Sequence, residues 1–105
     1  MDKKEDLRTK IIALENLYAI DKSDHMKEIT KENIQRILHE DPVKIIHLGD
    51  MNNKLLQQNR KLEQLNTHNG PQSTEEMVKK AKEKLEQEII LLKEIIDLYK
   101  ETTRE

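Results

Sequence analysis

The sequence predicts an all-α fold: a small bundle of four helices, the last two long and forming an antiparallel, coiled-coil-like hairpin. Three observations carry this prediction. Gly, Pro and Val occur twice each in 105 residues, which leaves little material for strands and hairpin turns. Leu, Ile, Glu, Lys and Gln dominate, as they do in long helices. Apolar residues recur at spacings of three and four over most of the chain. Tyr18 and Tyr99 are the only aromatic residues, so a core has to be built from Leu and Ile. A chain of this length has room for one domain with one modest core.

Helix one is expected over 3–20. Asp2, with Glu5 three residues on, supplies an N-cap pair. Leu7, Ile11, Leu14 and Tyr18 make the apolar stripe, widened by Ile12, Leu17 and Ile20. Asp21-Lys22-Ser23-Asp24 loses the pattern and reads as a connection. Helix two is expected over 24–40, with two starts left open. A start at Ser23 or Asp24 brings in Met26 and Ile29, whereas a cap at Thr30 leaves Ile34, Ile37 and Leu38. Its end is firmer, because Pro42 disfavours helical geometry at Asp41. The same dipeptide opens helix three, with Asp41 as N-cap and Pro42 at the first helical position.

Helix three is expected over 42–68, roughly 40 Å at 1.5 Å per residue, with a bend or a close packing contact at Gly49. Gly70-Pro71 ends it. Ser73 and Glu76 then form a capping box for helix four, expected over 74–103. The stripe of that helix is Val78, Ala81, Leu85, Ile89, Leu92, Ile96 and Tyr99, and near its end it becomes apolar on most sides. One partner helix cannot cover such a segment, so the N-terminal helices are expected to close over it.

Helix three carries the most informative pattern. Ile45, Asn52, Asn59 and Asn66 recur every seven residues, and so do Leu48, Leu55 and Leu62. In one heptad frame the leucines are at d and three asparagines at a, where asparagine costs stability but fixes register and partner number. In a second frame the leucines are at a, with Met51, Gln58 and Leu65 at d. The candidate partner interface is therefore Leu48, Met51, Asn52, Leu55, Gln58, Asn59, Leu62, Leu65 and Asn66. The same helix is rich in uncharged amides where a solvated face usually carries Lys and Glu.

Several chemistries lack support. Each third of the chain is close to neutral and the net charge is −2, so there is no basic footprint for nucleic acid. There is no cysteine, no Gly-rich phosphate loop and no run of membrane-span length. Ser23 and Ser73, the only serines, read as loop and cap residues rather than nucleophiles. His25 with Asp21 and Asp24, and His47 with Asp50, are weak metal-ligand spacings better read as polar side chains facing solvent. No motif implies a cofactor, a metal, a catalytic residue or a small-molecule substrate. The N-terminus has no apolar core of signal-peptide length, and a cytoplasmic location is the expectation. The functional expectation is a non-enzymatic protein-interaction module, an adaptor, assembly subunit or small regulator that self-associates as a homodimer. The alternative is a dimeric DNA-binding regulator, with a helix-turn-helix built from Thr30–Leu38, the Glu40-Asp41-Pro42 turn and the following helix.

Overall fold

Five helices form in order: α1 (Lys3–Ala19), α2 (Asp24–His39), α3 (Pro42–Ile45), α4 (Leu48–Thr67) and α5 (Glu75–Thr103). The computed structural model describes residues 2–67 and 75–104, and no strand occurs among them. The Gly70-Pro71 break and the Ser73 cap expected from the sequence lie outside the described residues.

Caps set the helix starts as the sequence implies. The Asp2 carboxylate accepts from the Lys4 backbone N–H at 3.1 Å, and that of Asp41 accepts from Val43 at 3.1 Å, with Pro42 at the start of α3. The start of α2 is settled in favour of the longer alternative, because the Ser23 hydroxyl accepts from the Met26 N–H at 3.3 Å. Thr30 is inside the helix and donates back to the Met26 carbonyl at 3.0 Å.

The single helix expected over 42–68 is instead two, which makes five helices rather than four. The break falls at Ile46-His47, where Ile46 is extended (φ −83°, ψ 128°), and α4 restarts with the Met51 N–H donating to the His47 carbonyl at 3.0 Å. The cause is the spacing of the apolar residues. Val43, Ile45, Ile46 and Leu48 fall around too much of a helix circumference to reach one core together. The extended residue turns Ile46 into the core, while Val43 and Ile45 pack partly against it. Gly49 is not the site of the break. A Cβ there would meet nothing within 4 Å, so the expected close contact is absent as well.

The core lies at one end of the molecule. Leu7, Ile11 and Leu14 of α1, Ile37 of α2, Ile46, and Leu92 and Ile95 of α5 form one buried cluster. Packing of α1 on α5 and of α4 on α5 dominates the tertiary structure, with α2 held mainly by α1. The apolar C-terminal half of α5 is thus covered by α1 and not, as expected, by both N-terminal helices, since α2 packs on α1 rather than on α5. Ile90 remains 54% exposed, whereas Ile95 is fully buried.

Polar contacts fix the helix ends. Arg8 of α1 donates through Nε to the Ile37 carbonyl at 3.2 Å and through Nη2 to the Glu40 carbonyl at 2.9 Å. One guanidinium thereby serves the orphan carbonyls at the C-terminus of α2; it also pairs with Glu5. Lys10 meets Glu94 of α5 at 2.8 Å, and Lys84 of α5 meets Asp21 at 2.8 Å. These pairs sit near the surface and contribute little individually.

Truncation of α5 separates its two kinds of isoleucine. Ile95→Ala should lower the unfolding free energy by about 2–5 kcal/mol, and Ile90→Ala by less than about 0.5 kcal/mol, in urea denaturation followed by circular dichroism. Gly49→Ala should raise stability by up to about 1 kcal/mol in the same assay, since the helix gains propensity and no contact is strained.

Candidate functional site

The site begins with the faces that α4 and α5 turn toward each other. On α4 the residues removed from solvent are Leu48, Met51, Leu55, Gln58, Leu62 and Leu65, all half-buried except Gln58, which is buried. These are the six positions of the second heptad frame. The asparagines of the first frame lie on its flank, with Asn59 half-buried and Asn52 and Asn66 exposed. Six of the nine candidate interface residues thus share one partly buried strip, and the three asparagines edge it. Leu56, one turn from both Asn52 and Asn59, is 52% exposed.

At the middle of this strip the packing is polar. Gln58 of α4 donates its side-chain N–H groups to both oxygens of Glu88 on α5, at 2.9 and 2.8 Å. The Tyr18 hydroxyl of α1 donates to the second of those oxygens at 2.9 Å. Glu88 is only 4% exposed and Gln58 only 5%. A carboxylate at such a depth is tolerable because it accepts three hydrogen bonds. Burial, together with the bond to Glu88, holds the Tyr18 phenol well above its ordinary ionisation range. The Lys54 ammonium lies 5.4 Å from the centre of the Tyr18 ring, in cation–π range.

Beside the cluster, α1, α2, α4 and α5 enclose an open groove of about 690 Å³. Tyr18, Gln58 and Glu88 line it, as do the apolar side chains of Met26 and Ile29 of α2 and Leu85 of α5. Both α2 residues are exposed, because the N-terminal half of that helix stands beside the groove rather than over the core. The Asp21–Lys84 pair lies along the same groove, and the Lys84 ammonium holds the Asp21 carboxyl below its usual value.

Sequence reasoning missed Tyr18 and Glu88 as members of a site. A signal was present. Ala81, Leu85, Glu88, Leu92, Ile95 and Tyr99 follow alternating spacings of four and three, so Glu88 occupies a seam position of its helix as Gln58 does in α4. No group of three or more His, Cys, Asp or Glu able to hold a metal occurs among the described residues. None of the described helices is long and apolar enough to cross a membrane. No protein-family model, curated protein sequence or solved structure matches this chain.

The phenol provides a direct probe of the cluster. Above pH ~10 an unfolded chain releases the tyrosine proton, whereas the folded chain retains it at Tyr18. Stability is therefore full below that pH and falls as pH rises further. Near-ultraviolet titration of the folded protein should show a phenol that ionises well above pH ~10, and Tyr18→Phe should remove that component. The same substitution should cost about 1.5–3 kcal/mol at neutral pH, as loss of a hydrogen bond to a charged group.

Proposed function

We propose that this chain is a non-enzymatic protein-interaction module in which α4 and α5 act as an antiparallel, coiled-coil-like hairpin, and that its first partner is a second copy of itself. The observation that carries this reading is the incomplete burial of the distal seam. Leu62 and Leu65 are half-buried although they belong to the strip that packs on α5. Asn52, Leu56, Asn59 and Asn66 continue along one side of the same helix, and three of the four are exposed. A second helix laid along this side would bury Leu56 and finish the burial of the leucines. The asparagines would then set register and partner number. The face favours association in a defined register over a solvated surface, because amides bond in pairs at lower desolvation cost than charges.

The helix-turn-helix alternative loses its main element. The segment that would enter a DNA groove is the single turn α3, with Pro42 buried and Val43 and Ile45 half-buried against the core. A four-residue helix committed to the core offers no recognition face.

Light scattering across a dilution series tests the proposal. The chain should give about twice its 12.5 kDa mass, falling toward monomer on dilution. Leu56→Lys should shift the chain to monomer while leaving the urea midpoint of that monomer nearly unchanged, because Leu56 makes little use of its own core. Asn59→Leu should tighten the association or change its stoichiometry. A monomer at every concentration, unaffected by either substitution, would remove the self-association reading.

A further inference from the structure

The groove beside the seam is defined by the hydrogen-bonding character of its floor. Glu88 carries its charge there with partners from Tyr18 and Gln58, and no Lys or Arg among the described residues pairs with it. Of the three lysines that line the groove, Lys54 lies over the Tyr18 ring, Lys84 is held by Asp21 at 2.8 Å, and Lys22 is exposed to solvent. Gln58 spends its amide nitrogen on Glu88. Its carbonyl Oε1 has no hydrogen-bond partner among the described residues, although the residue is buried. The free capacity of the Gln58–Glu88 pair is thus that of an acceptor. The carboxylate brings negative charge, and Met26, Ile29 and Leu85 make the walls apolar.

We propose that this groove is a binding site for a small organic cation, a protonated amine or guanidinium carried on an apolar body. The cationic head would donate to Glu88 and to Gln58 Oε1, giving charge-assisted bonds. It would also satisfy a buried acceptor whose isolation is costly. The body would lie between Met26 and Leu85. Two features favour a small ligand over a partner's surface. Gln58 and Glu88 line a space walled by four helices, and its volume lies in the range of small-molecule pockets, about 300–1,000 Å³. The α2 wall can adjust to the ligand, since that helix is fastened mainly at its far end, through Ile37 and the Arg8 contacts. This site is separate from the outer side of α4 that would meet a second chain, so the two proposals can fail independently.

The test is a nuclear magnetic resonance titration of the full chain with n-hexylammonium chloride, with 1-hexanol as the neutral probe of equal body. The amine should give saturable shifts at the Gln58 side-chain NH₂ and at backbone amides around Met26, Ile29 and Leu85. It should bind at least about tenfold more tightly than the alcohol, as expected when a hydrogen bond to a charged group is gained. Glu88→Gln, which keeps the shape and removes the charge, should bring the amine down to the level of the alcohol. Where that variant does not fold, the comparison of amine with alcohol on the unaltered chain decides alone. Equal affinity for the two probes, or shifts confined to residues outside the groove, would overturn the proposal. So would saturation by a lysine-bearing peptide with no response to the free amine, which would assign the groove to a partner chain.

Discussion

A buried carboxylate ties the architecture together. Glu88 sits on α5 where a continuous apolar seam would place a leucine, and its hydrogen bonds come from Tyr18 on α1 and Gln58 on α4. Desolvating a charge costs several kcal/mol unless its partners are in place. The three helices therefore have to meet at one register for the cluster to be satisfied. Apolar packing supplies most of the affinity between them but discriminates weakly among registers, since one leucine layer fits much like the next. A polar layer in a leucine seam is the known remedy. Here it is built from glutamine, glutamate and tyrosine rather than from the asparagines that the heptad pattern suggested.

The same cluster divides the molecule. On the C-terminal side of Glu88, α5 is enclosed by α1 and α4, with Leu92 and Ile95 at the centre of the core. On its N-terminal side α5 keeps mainly α4 as its neighbour, Ala81 is exposed and the seam is only half-buried. The molecule is elongated, 50 × 32 × 23 Å, with its core at one end. A stable base with a less enclosed extension is the geometry from which a helix surface can be offered to another chain without disturbing the fold.

Much of this was legible in the residues. Asp2 and Asp41-Pro42 announced their helix starts, because a side-chain acceptor next to free backbone N–H groups is a local device that needs no tertiary context. For α2 that device was offered twice, at Ser23 and at Thr30, and the sequence did not choose between them. The apolar girth of Ile89–Tyr99 announced a cover from the N-terminal helices, a part that α1 takes while α2 packs on α1. The break at Ile46-His47 was hidden, since neither residue is Gly or Pro and the nearby Gly49 drew attention two residues too far. Tertiary packing decides there: burying Ile46 outweighs continuing the helix. Glu88 was hidden for a different reason. It lies among alternating Glu and Lys residues that read as a solvated face, and only the spacing from Leu85 to Leu92 sets it apart. Of the asparagines, the sequence pattern specified a heptad but not which frame faces inward, a choice made by the partner helix.

The central claim is that Gln58 and Glu88 act as one unit that holds α4 on α5. The most direct measurement is a double-mutant cycle with Gln58→Ala, Glu88→Ala and the double variant, read from urea denaturation. The account predicts a coupling of about 1 kcal/mol or more, with the double variant losing much less than the sum of the two single losses. Additivity within about 0.3–0.5 kcal/mol would contradict it and leave the position of α4 to apolar packing alone.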